Sequence, residues 1–388
     1  VNTGCDPGPV IVVVGAGLAG LHTVVALRGQ GYRGPVTLLG AEGLAPYDRP
    51  PLTKELLRGD TDNTTLEADW AALDVDRRLA TRALAVEPGV VQTDDGPIGF
   101  DSLVLATGAQ PRRLPGAAMT LRTLDDAHRL RAVLRPGARL VVVGAGWIGA
   151  EVSTAALAAG ARVTVLEGAA VPHAGALPAE IGARMTAWWS DVDLRFGAMV
   201  DRAEAAAVHL VGGDVVEGDA VLVGIGVHPV AVPGVELTAT GAVAVDPGLR
   251  SSVPGVLAVG DCAAWESRRW GVRLNVEHWD NALHGPAVAA ANALGGDETW
   301  DPVPYFWSEQ WGRMVQYAGH HPAGDRIVWR EDGERWAAFW LAGDRLAAAL
   351  TVDRPRDLLQ ARRLIERGTP VADDLLADPS VAVKSAAL

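Results

Sequence analysis

Residues 10–14 form an unbroken apolar run. Gly-Ala-Gly-Leu-Ala-Gly follows, and then apolar residues continue at helical spacing to Leu27. A short apolar run closed by glycines predicts a buried strand, and the stretch after it an amphipathic helix. The same order returns from Arg139: an apolar strand, Gly-Ala-Gly-Trp-Ile-Gly, a helix, Gly160, and a second apolar strand at residues 163–166. Gly15, Gly17 and Gly20 recur as Gly144, Gly146 and Gly149, displaced by 129 residues (144 − 15). Each copy is a strand–turn–helix–strand unit carrying G-x-G-x-x-G, in which the first Gly makes the turn. The second lets backbone N–H groups approach a pyrophosphate, and the third lets helix pack close to strand. One such motif alone fits a plain Gly-rich turn. Two in full context predict two dinucleotide sites, the alternative being a duplicated scaffold with one site lost. Towards the C-terminus, residues 335–341 and 345–352 flank Ala342-Gly343-Asp344 as a predicted hairpin. A helix over residues 356–367 follows, with Leu358, Ala361 and Ile365 as its stripe and Gly368 as its stop.

The acids at the strand ends differ between the copies. Glu167 closes the second strand of the second copy, where its carboxylate can accept both ribose hydroxyls. A 2′-phosphate there meets like charge, at about 4 kcal/mol for unit charges 4 Å apart and an effective dielectric of 20, so NADH is expected over NADPH. In the first copy that position is Gly40. The nearest acid is Glu42, either a ribose ligand or a solvated loop acid.

Composition narrows the choices. Residues 10–27 are nearly uncharged and long enough to suggest a membrane span, but the glycines within them favour the strand–turn–helix reading. Residues 1–5 show no basic n-region, so no secretory signal is expected; the chain opens on Val. With 34 Lys+Arg against 47 Asp+Glu the net charge is −13, which argues against nucleic-acid binding. The 388 residues contain two cysteines, Cys5 and Cys262. Two are too few for an intrinsic iron–sulfur cluster, and scarce cysteine fits the cytoplasm. No His/Asp/Cys cluster suggests a metal site. Only two lysines occur, Lys54 and Lys384.

Pro46-Tyr47-Asp48-Arg49-Pro50-Pro51-Leu52-Thr53-Lys54 resembles the flavin loop of the oxygenase-coupled, FAD-dependent ferredoxin reductases. Leu105-Ala106-Thr107-Gly108, Val259-Gly260-Asp261-Cys262-Ala263, Glu277-His278-Trp279-Asp280-Asn281-Ala282 and Phe306-Trp307-Ser308-Glu309-Gln310 are similar to further segments of that family, as are Val352-Asp353-Arg354-Pro355-Arg356-Asp357 and Leu376-Ala377-Asp378-Pro379. The resemblance implies an α/β chain with two Rossmann-like dinucleotide-binding domains, for FAD and NAD, and a C-terminal α+β domain. The expected limits are 1–112 and 243–302 for the FAD domain, 113–242 for the NAD domain and 303–388 for the third. Absence of a cysteine between Cys5 and Cys262 excludes the dithiol chemistry of neighbouring families.

Hydride transfer from NADH to flavin N5 is implied, with Lys54, Glu151 and Trp307 as catalytic residues. A compact ammonium at Lys54 is not replaceable by Arg. Glu151 would be its counter-charge, or else an ordinary first-turn acid. The implied FAD shell is Gly15, Gly17, Gly20, Glu42, Arg49, Lys54, Thr107, Gly108, Arg112, Asp261, Glu277, His278 and Trp279. Arg112 has a simpler reading as a solvated charge beside Arg113. The nicotinamide nucleotide is assigned Gly144, Gly146, Ile148, Gly149, Glu167 and Gly226. Other tryptophans, Trp188, Trp189, Trp329, Trp336 and Trp340 among them, are read as packing.

Three positions depart from the family pattern. Gly175 and His228 stand where Arg is frequent, leaving Arg202 or Arg184 as substitute contacts, and Trp147 exceeds the usual aromatic. The expected partner is a [2Fe–2S] ferredoxin serving an oxygenase such as a cytochrome P450. Arg354, Arg356, Arg362, Arg363 and Arg367 are the candidate basic face, or else a plain solvated helix face. Two alternatives remain open: an FAD enzyme acting directly on a small molecule, and a redox-sensing interaction protein. Either a monomer or a homodimer is compatible.

Overall fold

The computed structural model describes residues 8–388; the reading of residues 1–5, Cys5 included, falls outside them. Ile11–Val14 is a strand with every residue buried, central in a five-stranded sheet of all-parallel neighbours. Its order is Val256–Ala258, Ser102–Leu105, Ile11–Val14, Val36–Gly40 and Asp76–Leu79. A sheet covered on both faces needs apolar residues on both, which is why this strand reads as a continuous run and not an alternation. The helix Leu18–Gly29 follows it, so the apolar stretch at residues 10–27 is a strand and a helix. No helix among the described residues is long and apolar enough to cross a membrane.

The second copy repeats the design. Arg139–Val143, Arg162–Glu167, Asp193–Phe196 and Ala220–Val223 form a parallel sheet, and the helix Trp147–Ala158 leaves its fingerprint turn. Between the two sheets the chain crosses twice, and the crossings pair with each other as antiparallel strands, Ala109–Pro111 with Val227–Pro229. Val232, Val243 and Val245 already pack in the core of the first sheet, beside Val86 and Val91.

The C-terminal part is antiparallel, in the order Tyr305–Gln310, Arg313–Gly319, Arg345–Val352, Arg335–Ala342, Arg326–Asp332. The hairpin at Gly343 and the helix Pro355–Arg367 occur where the pattern placed them. That helix buries Leu358, Leu364 and Ile365 against Phe339 and Leu341, each contributing about 1.5–3 kcal/mol. Arg330 is fully buried, and its guanidinium donates to the carbonyls of Leu375, Leu376 and Val381, which ties the tail to the sheet. Tyr305–Gln310 lies against the helix Trp147–Ala158. That contact carries residues of the third part into the cleft between the two Rossmann-like units.

Candidate functional site

Both fingerprint turns open into one cavity of about 1190 Å³, larger than the ~300–1,000 Å³ typical of a single small-molecule pocket. Every residue assigned from the sequence lines it except Gly20 and Gly149. These two are spent on packing: a Cβ on Gly20 would lie 1.8 Å from the Gly15 carbonyl oxygen, and one on Gly149 2.1 Å from that of Gly144. Gly15 and Gly144 turn through φ of 115° and 105°, backbone that a side chain rarely adopts. A Cβ on Gly17 or Gly146 would meet nothing within 4 Å. Their open side faces the cavity in front of a helix N-terminus, the place where a pyrophosphate needs bare backbone.

At the centre Lys54 Nζ lies 2.7 Å from Glu151 Oε2, with the side chains 8 % and 6 % exposed. The two residues come from different units, the flavin loop and the second fingerprint helix. Thr53 Oγ donates to the same carboxylate oxygen, and Ser308 Oγ donates to Oε1 at 2.6 Å. A buried ion pair is sustained only where further donors satisfy the carboxylate, and these two hydroxyls do so. Trp307 lines the cavity edge, its ring set against Trp279 and Tyr305 at 5.7 and 6.1 Å.

On the side of the first fingerprint, Glu42 is engaged as well as exposed to the cavity. Arg49 donates to it at 2.8 Å and the Tyr47 hydroxyl at 2.6 Å. Burial, reinforced by that bond to Glu42, pushes the Tyr47 phenol up to about 12. Gly40 cannot carry the acid itself, because a Cβ would meet that of Ala16 at 2.8 Å. Asp261 accepts from Arg122 at 2.8 Å. The Thr107 hydroxyl donates to the Val230 carbonyl, and Arg112 Nε to that of Val227 at 3.0 Å. Trp279 Nε1 donates to Asp48 at 2.8 Å. Glu277 opens to the cavity, yet the surrounding walls and then the Asp261 charge push its carboxyl up to about 7, against the pull of Arg122 and Arg112. Burial lowers His278 to about 4, so its ring is neutral and packs on Phe306 at 4.7 Å.

At the second fingerprint, Glu167 stands at its strand end, held by the backbone amides of Ala145 at 2.7 Å and Ala169 at 2.8 Å. Trp147 stacks on His173 at 4.3 Å and meets Phe306 edge-on at 4.9 Å. The proposed substitutes for the missing arginines are not there. Arg202 pairs with Asp201 and Glu204 away from the cavity. Arg184 covers Trp329 and Trp336 in a separate cleft against the C-terminal sheet. Space beside Gly175 is open, and His228 pairs with Gln110 at 2.7 Å.

Several contributors escaped the sequence reading: Arg122, Thr53, Ser308, Gln310 and His173. One signal was present for two of them. Ser308 and Gln310 alternate with Trp307 and Glu309 along a strand, so two polar residues share its buried face, each 1 % exposed. A polar pair on a buried face is a request for partners. Arg122 and His173 carried no such mark.

Comparison with known proteins agrees with this geometry. Residues 9–285 match the pyridine nucleotide-disulphide oxidoreductase family and residues 305–387 the reductase C-terminal family. The ferredoxin–NAD(+) reductase component of an anthranilate 1,2-dioxygenase system from Burkholderia cepacia is 38 % identical, over 96 % of this chain and 98 % of its own. Putidaredoxin reductase from Pseudomonas putida is 32 % identical over 96 % of each chain. A crystal structure of the covalent putidaredoxin reductase–putidaredoxin complex superposes with a TM-score of 0.90 and 31 % identity, covering 97 % of this chain and 98 % of that one. The chain therefore belongs to the pyridine nucleotide-disulphide oxidoreductases and, within them, to the FAD-dependent ferredoxin reductases of oxygenase systems.

Proposed function

We propose that this protein transfers electrons from NADH to a [2Fe–2S] ferredoxin that serves an oxygenase: NADH and two oxidised ferredoxins become NAD⁺, two reduced ferredoxins and a proton. The observation that carries the reading is the convergence of both fingerprint turns on one cavity around the buried Lys54–Glu151 pair. FAD, when bound, supplies two-electron acceptance and one-electron release. The cradle at Gly17 fits its pyrophosphate, Glu42 its ribose and Asp261, steadied by Arg122, its ribityl chain. Arg49, Thr107, Gly108 and Arg112 would complete that shell, and Glu277, His278 and Trp279 would line the part of the cavity left for the ring system.

Gly146 and Ile148 would face the NADH pyrophosphate, with Gly144, Gly149 and Gly226 shaping the wall and Glu167 accepting the ribose hydroxyls. Lys54 holds a positive charge at the reacting edge, and Glu151 keeps it there. Trp307 and Phe306 exclude water. Two cysteines in the whole chain are too few for a cluster, so the one-electron carrier is external.

For that acidic partner we propose the helix Pro355–Arg367. Arg354 and Arg362 are taken up by Asp357 and Asp280. Arg356, Arg363 and Arg367 are exposed and have no ion pair among the described residues, and their spacing sets them on one helix face. Arg362 lies over Tyr305, which stacks on Trp307, so this helix adjoins the cavity edge. We further propose domain limits at the paired crossing strands, near residues 112 and 229, since Val232, Val243 and Val245 share the first core. A cytoplasmic setting is supported by the scarcity of cysteine.

Anaerobic mixing with NADH tests the reading. Bleaching of the flavin band faster than turnover, then reduction of added ferredoxin, is expected. Failure of either nicotinamide nucleotide to bleach the flavin would reject it in favour of direct action on a small molecule.

A further inference from the structure

The Glu151 carboxylate accepts only, and its partners can be followed outwards. Ser308 Oγ gives its one proton to Oε1 and keeps its lone pairs to accept with; Gln310 Nε2 lies 3.4 Å from Oγ. This directs the Gln310 amide oxygen the other way, to His173 Nε2 at 3.2 Å. His173 Nε2 therefore carries the ring proton and Nδ1 is bare, consistent with a buried Nδ1 that has no partner. His173, Gln310 and Ser308 are 2 %, 1 % and 1 % exposed, so each link is made between buried side chains. All donors in the series point to one carboxylate, and such chains polarise one another. The series joins the loop after Glu167, the third part of the molecule and the second fingerprint helix, and ends on Lys54.

His173 is also anchored through its backbone. Its φ is 59°, in the left-handed region that a minority of residues other than glycine adopt, histidine among the more tolerant of them. Its amide donates to the Ala145 carbonyl at 3.0 Å, in the fingerprint turn, and its ring stacks on Trp147 at 4.3 Å. The ring is thus tied to the nucleotide-binding turn at one end and to the carboxylate at the other.

We infer that His173 is a positioning residue for hydride transfer, acting through Gln310 and Ser308 on Glu151 and so on Lys54. The inference rests on the role proposed above for the Lys54–Glu151 pair. Breaking the series at Gln310 removes the outer support of the Ser308 hydroxyl on Oε1 while Lys54 and Thr53 still hold Oε2, and it leaves the fingerprint turn at Ala145 and Trp147 untouched.

The test is anaerobic flavin reduction by NADH, separated into limiting rate and Kd. Gln310→Met should lower the limiting rate about tenfold with Kd little changed, His173→Leu should lower that rate as much, and His173→Gln, which keeps an N–H donor, should recover most of it. Gln310→Met carries the test alone should His173→Leu fail to fold or bind flavin, since Gln310 is the link between His173 and Ser308. In a Glu151→Gln background His173→Leu should have no further effect. An equal loss in both backgrounds, a loss confined to Kd, or no loss would overturn the inference. If Glu151→Gln alone reduces flavin at the wild-type rate, the pair itself is misassigned and His173 with it. A slow Glu151→Gln beside a normal His173→Leu overturns only the positioning role.

Discussion

Replacing Lys54 by Ala leaves the Glu151 carboxylate buried without a counter-charge. At 2.7 Å and an effective dielectric of 20, the Coulomb attraction is about 6 kcal/mol (332/(20 × 2.7)). Desolvation of both ions offsets much of that, but removing one partner costs about 3–5 kcal/mol, because the other remains uncompensated. Thr53 and Ser308 still donate to the carboxylate, which points to the lower end. Lys54→Ala should therefore lower the thermal midpoint and slow anaerobic flavin reduction by well over about tenfold. Lys54→Met combined with Glu151→Gln separates the two effects. It removes both charges at similar volume, so most of the midpoint should return while the rate stays low. Stopped-flow reduction and thermal unfolding, compared as midpoints since a multidomain flavoprotein need not unfold in one step, read both quantities. Wild-type reduction by Lys54→Ala, or a double variant that recovers rate along with stability, would refute the reasoning.

Glu167→Ala should raise the NADPH/NADH ratio of kcat/KM by about tenfold or more, as the like-charge penalty disappears; an unchanged ratio counts against Glu167 as the ribose acid. Gly17→Val should fold, since its Cβ enters open space, yet purify without flavin, whereas Gly146→Val should keep flavin and lose reduction by NADH. Glu277 has its folded-state pKa raised from 4.5 to about 7, so the folded form binds the extra proton and its stabilisation is lost as pH rises through that window. For flavin-stripped protein, the midpoint advantage of Glu277→Gln over wild type should grow between pH 4.5 and 7 and then level off. Reversing Arg356, Arg363 and Arg367 to Glu should slow ferredoxin reduction, most at low salt, with flavin reduction by NADH unaffected; stopped-flow at two ionic strengths checks both halves.

The elements were legible where one physical constraint acts along a few consecutive residues. Two-sided burial makes Ile11–Val14 uniformly apolar, the turn after it admits only glycine at Gly15, and the hairpin at Gly343 interrupts an apolar pattern. The site was legible in part. Residues on the turns could be placed by spacing, and Lys54, Glu151 and Trp307 by resemblance. The substitutes for the missing arginines could not. Arg184 and Arg202 lie between Gly175 and His228 in the chain, but the fold turns Arg184 onto two tryptophans and Arg202 onto its neighbouring acids.

By itself the sequence determined two glycine fingerprints at strand–helix turns, an acid at the strand end of one of them, and a cysteine count too small for an intrinsic iron–sulfur cluster. Each follows from local geometry or from simple counting. Only the tertiary structure decided which side chains meet across the cleft. Thr53 and Ser308 on Glu151, Gln310 on His173, and Arg122 on Asp261 join residues 98, 157, 137 and 139 positions apart. Such pairs leave no periodic trace, because a single buried hydrogen bond constrains two residues and nothing between them. They exist because three sheets are packed around one cavity, where a polar group cut off from water must find its partner on another part of the chain.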